Sequence, residues 1–335
     1  MKKSKKSFSA VGLDIGNHSV KFVEMTRRKD KFVLKQASVV PLGEQSADNL
    51  TSIIKPFLDV IKATPDHVRF VFSGSSALVR CVAMPIMSQT ELKSAIRFEA
   101  ENHIAFPIDD CILDFQILNQ VPDKKIMNVL LVAAKRDFIQ ERLKMLIDLE
   151  IQPEFIDVDT FSLINAFDTL NTCPPEKTVG LLNLGHRVSS FAILQEGQPL
   201  FVREIPMGGS AVTKAIAEAR GITEDEAEAI KVAHQADLLA ELKEATHHGL
   251  EPIADEVKSS IDYYENNIGE AFKSVWLSGG GALAEGAVEF LTGALGKQAA
   301  FWDPSKKLEF EGVDPKFVQD NAALLNVALG MGLRG

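Results

Sequence analysis

The sequence predicts an α/β protein of two related lobes, with a small α+β unit inserted into the first. Three observations carry that expectation. The chain has 335 residues, well above the ~150 typical of one domain, so more than one core is expected. Residues 11–34, VGLDIGNHSVKFVEMTRRKDKFVL, read as strand, polar glycine turn, strand, charged turn and strand, and residues 179–203, VGLLNLGHRVSSFAILQEGQPLFVR, repeat that pattern. Gly16 and Gly185, Phe22 and Phe191, Phe32 and Phe201, and Val33 and Val202 all share a separation of 169 positions (185 − 16 = 169 for the first pair). Each lobe should therefore open with a hairpin whose first turn carries glycine.

The third observation is what lies between the copies. Ser88 with Glu91 three residues on is a capping-box signature, and Leu92, Ile96 and Ala100 follow at helical spacing. Strand-like runs at 112–118 and 127–133 come next, then an amphipathic helix with Phe138, Leu143, Leu146 and Ile147. After the second hairpin, 211–272 reads as helical, with a second capping box from Thr223 to Glu226 and punctuation at Gly221 and Gly249. A strand at 274–277 runs into SGGG, and 321–331, NAALLNVALGM, is apolar on nearly every side, so this last helix should be buried.

The expected division is a basic tail over 1–7; a first lobe from 8–80, 159–177 and 320–335; an insert over 81–158; a second lobe from 178–210 and 273–319; and a helical subdomain over 211–272.

Composition bounds the function. With 46% hydrophobic and 24% charged residues the chain reads as an ordinary globular protein. No run approaches the ~18 apolar residues of a membrane span, and the lysines of MKKSKKS have no apolar stretch behind them, so a cytoplasmic chain is expected. Cys81, Cys111 and Cys173 lie far apart without metal-ligand spacing, which fits free thiols. Charge is uneven: ten basic against three acidic residues over 1–36 give net +7, and the remaining chain carries −17. Residues 211–272 alone hold fourteen acidic and five basic side chains. Such an acidic body argues against nucleic acid, whose binding rests on a basic face. The four lysines of the first six residues read either as a solvated terminus or as a weak hold on anionic lipid, worth roughly 1 kcal/mol each.

Two facing glycine turns make a phosphate clamp, because backbone N–H groups reach an anion only where side chains do not block them. In the first turn Asp14, Gly16, Asn17, Ser19 and Lys21 supply suitable chemistry: Asp14 can hold magnesium through water, and Lys21 brings a point charge to a phosphate. Gly208 and Gly209 ahead of a helix, and Ser278, Gly279, Gly280 and Gly281 after a strand, are further close-approach loops. His18 and His186, one in each turn, read as phosphate donors when protonated or as exposed loop residues. His247 and His248 beside Gly249 read as a solvated loop rather than a metal site.

These residues resemble the actin-like (ribonuclease H-like) superfamily of sugar kinases and heat-shock ATPases. Within it the chain is similar to the pilus-assembly and cell-division branch, PilM and FtsA, almost from end to end. LDIGNHSVK resembles the first phosphate loop, and RCVAMPIMSQTELKSAIRFEAENHIAFPIDDCILDFQIL resembles the inserted 1C subdomain of that branch. LLVAAKRDFI, FIDVDTFSLINAF, REIPMGGSAVTKAIA, LSGGGAL and VALGMGLRG follow in family order. The resemblance implies ATP or ADP with magnesium as ligand. Asp14, Gly16, Asn17, Ser19 and Lys21 would meet the β-phosphate side, Gly185 the γ-phosphate, and Gly208, Gly209 and Ser278 to Gly281 the nucleotide body. Glu228 and Lys231 match ribose and adenine contacts, and Asp159 stands where relatives place a carboxylate that orients water or metal. One departure stands out: relatives open the second loop with aspartate, and here the residue is Asn183, while Val188 replaces a usual hydroxyl residue. An amide gives magnesium no charged ligand, so hydrolysis should be slow or absent.

The resemblance also implies a scaffold peripheral to the cytoplasmic face of the inner membrane. Its partner would be the short cytoplasmic N-terminal peptide of a bitopic PilN-like protein, held between the first lobe and the insert, with other pilus components and further copies of itself as additional partners. A small-molecule kinase of the same superfamily and an FtsA-like filament stay open as alternatives. Acceptor-dependent ADP release would mark the kinase, and pelleting with ATP the filament.

Overall fold

The computed structural model describes residues 8–29, 31–42, 50, 52–57, 68–72, 77–104, 106–170, 173 and 176–334. The expected tail at 1–7 lies outside them. Strands β1 (Phe8–Ile15), β2 (Ser19–Arg28) and β3 (Lys31–Pro41) form an antiparallel meander. Parallel strands β4 (Val68–Phe72) and β8 (Phe155–Asp157) extend it beyond β1. In the second lobe β9 (Thr178–Leu184), β10 (Ser189–Gln195) and β11 (Gln198–Ile205) make the same meander, extended by β12 (Ser274–Ser278) and β13 (Gln298–Phe301). The orders β3-β2-β1-β4-β8 and β11-β10-β9-β12-β13 are the same topology twice. The repeat extends to register, since Asp14 faces Lys21 in one hairpin and Asn183 faces Ser190 in the other.

The insert is a three-stranded sheet, β5 (Ala77–Pro85), β7 (Ile126–Lys135) and β6 (Cys111–Val121) in that order, with helices α1 (Gln89–Glu101) and α2 (Arg136–Asp148). The Ser88 capping box forms in full, and Leu92, Ile96 and Ala100 pack on Val82, Met127 and Leu131. α2 turns the other way: Leu146 and Phe138 join the core of the first lobe, and Ile147, expected on the buried face, is 63% exposed. Two boundaries move accordingly. The insert begins with β5 at Ala77, and β8 belongs to the first sheet because it pairs with β4. A third moves too, since β14 (Leu308–Phe310) pairs with β3 and so leaves the second lobe for the first sheet.

The helical stretch is three helices: α4 (Ser210–Arg220), α5 (Glu224–Ala233) and α6 (Leu239–Asn267). Gly221 ends α4 in the left-handed conformation, at φ 64°. Gly249, expected as a break, lies inside α6, where a Cβ would sit 2.7 Å from the Cα of Val212, so it lets α6 and α4 pack closely. His247 and His248 are exposed on the same helix rather than in a loop. After α7 (Ala287–Leu295) and the short α8 (Pro315–Asp320), α9 (Ala322–Leu333) is buried along its whole length, as its all-round apolarity predicts. It packs on α3 (Asp159–Thr169), where Ser162 Oγ donates to the Val327 carbonyl at 2.6 Å and Asn165 Nδ2 to the Gly330 carbonyl at 2.7 Å. Residues of both lobes, of α3 and of α9 share one apolar cluster, so this pair of helices joins the lobes.

Candidate functional site

The two glycine turns face each other across the cleft. Gly16 and Gly185 line one cavity of about 870 Å³, and the rings of His18 and His186 lie 4.8 Å apart across its mouth. The first hairpin also brings Asp14, Asn17, Ser19 and Lys21 to the wall. Cross-strand pairing sets Asp14 Oδ2 3.2 Å from Lys21 Nζ. The other oxygen, Asp14 Oδ1, is buried without a hydrogen-bond partner. A buried carboxylate oxygen left bare fits a hydrated magnesium ion, which takes one or two carboxylates and keeps its waters. Among the described residues no group of three or more His, Cys, Asp or Glu forms a metal cage.

The second hairpin contributes Asn183, Gly185, His186 and Val188. Here the pair opposite is neutral, and the buried Ser190 Oγ has no partner. Gly209 and Gly281 meet so closely that a Cβ on Gly209 would stand 2.8 Å from the Gly281 Cα. With Gly279 and Gly280 they leave a stretch of wall made of backbone, suited to an anion or a sugar. Gly208 and Ser278 are corrections: neither lines the cavity. Gly208 is packed against the carbonyls of Gly185 and His186. Ser278 Oγ donates to the Ala323 carbonyl at 3.2 Å and accepts from Asn326 Nδ2 at 3.1 Å, which ties this loop to the start of α9.

The helical subdomain closes the side wall. Lys231 Nζ donates to Glu228 Oε2 at 2.6 Å and to Thr213 Oγ1 at 2.8 Å, and Thr213 donates to the same carboxylate. Burial raises the Glu228 carboxyl, but the Lys231 charge and these hydrogen bonds outweigh it and leave it below the usual range. Glu228 Oε1 stands 4.0 Å from His18 Nε2. Burial pushes His186 down to about 4, helped by the His18 charge, and lowers His18 as well, against the pull of Glu228. Both rings therefore favour the neutral form at pH 7.

Asp159 opens α3 in the cavity wall and accepts from the Thr160 N–H at 2.7 Å. Behind it lies Glu204, whose carboxyl burial raises to about 8, with the Asp159 charge adding and Arg80 opposing. Sequence reading missed Glu204, Thr213 and the far wall, where His234 Nδ1 sits 3.4 Å from Glu285 Oε2. Helix spacing could have found Thr213, one turn into α4 beyond Gly209; nothing local marks Glu204 or Glu285.

A second cavity of about 640 Å³ opens between insert, first lobe and the β10–β11 turn. Leu118 and Val132 of the insert, Phe138 of α2, and Phe161 and Asn165 of α3 line it, with Asp157 and Arg334 paired at one end.

Two repeated lobes on either side of a glycine-walled cleft, joined by two buried helices, make the actin-like ATPase fold. Within that class the chain belongs to the type IV pilus assembly protein PilM family, which it matches over residues 12–335. A solved PilM-PilN type IV pilus biogenesis complex is similar at TM-score 0.83 and 23% identity, over 97% of this chain and 98% of that one. More distant likenesses share the fold. The ethanolamine utilization protein EutJ from Carboxydothermus hydrogenoformans has TM-score 0.51 at 11% identity, over 98% and 90% of the two chains. MreB5 of Spiroplasma citri bound to ADP has TM-score 0.50 at 11% identity, over 97% and 95%.

Proposed function

We propose that the chain is a nucleotide-holding scaffold of type IV pilus assembly, which grips the cytoplasmic N-terminal peptide of a PilN-like membrane protein. One observation carries the reading: the glycine-walled cavity and the cavity beside the insert share α3, and α9 runs from the first to the edge of the second. Asp159 at the start of α3 faces the first, and Phe161 and Asn165 face the second. Leu324 and Val327 of α9 face the first, and Arg334 just past its end faces the second. A ligand that closes the lobes differs in affinity between open and closed states and so biases the groove.

ATP or ADP fits the first cavity. Asn17, Ser19, Lys21 and the glycine loops would hold its phosphates, Asp14 its magnesium through water, and Glu228 and Lys231 its sugar and base side. Bound magnesium would neutralise phosphate charge. The second hairpin offers neither a charged ligand nor a hydroxyl at Asn183 and Val188, so the nucleotide is held rather than turned over, at well under about 1 per second. No helix among the described residues is long and apolar enough to cross a membrane, and a place at the cytoplasmic face follows from gripping a membrane protein's cytoplasmic end. Family membership leaves the kinase and filament readings without support.

Calorimetry with the N-terminal peptide of a neighbouring bitopic membrane protein, with and without MgATP, tests this. Peptide affinity should change at least about threefold on adding nucleotide, which is roughly 0.7 kcal/mol of coupling. Peptide heat identical with and without nucleotide would remove the coupling, and no peptide heat at all would remove the scaffold.

A further inference from the structure

Apart from Lys21, the cations of the first thirty-six residues line neither cavity. The fold gathers most of the described ones in one place. β1 begins opposite the end of β2, with Phe8 facing Arg27. The β2–β3 turn follows, Arg28 facing Lys31, with Lys29 in the left-handed region at φ 56°. β14 enters parallel to β3 with Leu308 beside Phe32, so Lys306 and Lys307 arrive at the same end of the sheet. Six cations from three segments thus share one rim. Lys2, Lys3, Lys5 and Lys6 precede Phe8 in the sequence.

Among the described residues, Asp303, Glu309 and Glu311 are the acids beside these cations. Glu311 pairs with Arg28 at 2.7 Å, and Glu309 with Lys31. Six cations against these three acids leave +3 here, so the rest of a chain with net charge −10 carries −13. Lys29, Lys306 and Lys307 are exposed, and the Lys31 side chain is 69% exposed.

We propose that this rim of the first sheet is a docking face for an anionic lipid bilayer. The inference rests on the pilus reading only for the nearness of a membrane. The chemistry is that of a diffuse charge meeting a charged plane: long flexible cations on strand ends, without a pocket, each worth roughly 1 kcal/mol beside anionic lipid. Nucleic acid fits less well, because a strand-tracking groove needs open aromatic faces. Phe32, the aromatic ring at this rim among the described side chains, is capped by the Arg27 guanidinium at 5.4 Å. The acidic remainder is repelled by the same lipid, which fixes the orientation. The rim sits at the end of β1 opposite the Gly16 turn, eight residues away, or about 25 Å at ~3.3 Å per residue. The nucleotide cleft would then open away from the bilayer.

Vesicle flotation of the full chain tests the face. The protein should float with phosphatidylglycerol vesicles at low salt, release at high salt, and stay behind with pure phosphatidylcholine. A triple variant, Lys29→Glu with Lys306→Glu and Lys307→Glu, should lower the bound fraction at least about tenfold, with nucleotide and peptide titrations and the melting temperature unchanged. The proposal is overturned if the triple variant binds like the parent while removal of residues 1–7 abolishes binding. It is equally overturned by equal binding to neutral vesicles, by no binding at all, or by tighter, charge-dependent binding to an oligonucleotide. Each of these outcomes leaves the peptide titration intact, so loss of the face and loss of the scaffold are told apart.

Discussion

The hairpins β1–β2 and β9–β10 have the same register around the turn and a glycine at the same place, yet they differ in charge. Asp14 and Lys21 form an ion pair in the first; the equivalent positions in the second are Asn183 and Ser190, both neutral and both buried. The glycines differ too. A Cβ on Gly16 would stand 2.8 Å from the movable tip of Lys21 and 3.1 Å from the Ser19 carbonyl, whereas one on Gly185 would press to 2.4 Å from the backbone carbonyl of Val188. Duplication copied the geometry, and the chemistry then diverged: the first turn holds charge, and the second holds shape. A cleft built this way can bind a polyphosphate firmly while lacking the second charged ligand that would help cleave it.

The largest expected effect breaks that asymmetry at its charged side. Asp14→Asn removes the partner of Lys21 and the oxygen open to hydrated magnesium, and MgATP affinity should fall about 100-fold, or roughly 2.7 kcal/mol. Asn183→Ala should change it less than about fivefold. Calorimetric titration of both variants decides the matter, and equal losses would end the idea of specialised turns. Next in size is the glycine contrast. Gly185→Ala forces a backbone shift and should cost about 2 kcal/mol of unfolding free energy, while Gly16→Ala should cost about 1 kcal/mol or less, because Lys21 can swing aside and the Ser19 carbonyl has only a few tenths of an ångström to give. Urea midpoints measure both, and a Gly16→Ala cost matching that of Gly185→Ala would contradict the contrast.

Much of this was legible in the chain, for identifiable reasons. The offset that joins Gly16 to Gly185 predicted the paired hairpins because strand register propagates residue by residue from a fixed turn. The capping boxes at Ser88 and Thr223 formed because their bonds are local. What failed was non-local. Gly249 looked like a break and is a packing contact with Val212; Ile147 looked buried, but α2 rolls onto the first lobe and turns it outward. Gly208 and Ser278 looked like ligand contacts and instead brace the wall from behind. Glu204 reaches Asp159 only because β11 runs beside β10, with Glu204 opposite Ser190. No spacing in the sequence announces such a contact.

A third change sharpens the comparison by restoring symmetry. Asn183→Asp places a carboxylate opposite Ser190, with no cation in the place that Lys21 holds in the first hairpin. The cavity admits water, so the loss should be about 1 kcal/mol rather than the several of a sealed charge. Adding Ser190→Lys should recover most of it, and magnesium with ATP should stabilise Asn183→Asp more than the parent. Thermal melts with and without MgATP test this; a single variant as stable as the double one would show that the second turn tolerates charge freely.

The smallest effect concerns the two histidines that join the turns. In the folded chain His186 titrates at about 4 and His18 is also lowered, burial being the leading cause for each. The charges of Lys231, Lys21 and Arg187 around them push the same way, against Glu228. Unfolded, both rings return to about 6.5. Between those values the unfolded chain binds more protons than the folded one, so stability is complete above about pH 6.5 and falls as pH drops toward 4. The rings are partly exposed and solvent damps the effect, so the slope should be shallow. His18→Asn with His186→Asn should flatten it over that range, where urea midpoints of parent and variant at several pH values can be subtracted to remove the carboxylates' share. ADP supplies the opposite charge to the rings: with it bound they should gain protons, and binding measured in two buffers of different ionisation heat should show proton uptake that the double variant lacks. Identical pH slopes and identical proton counts in parent and variant would mean that the rings are bystanders, and that the two turns meet at the cleft mouth without sharing a proton.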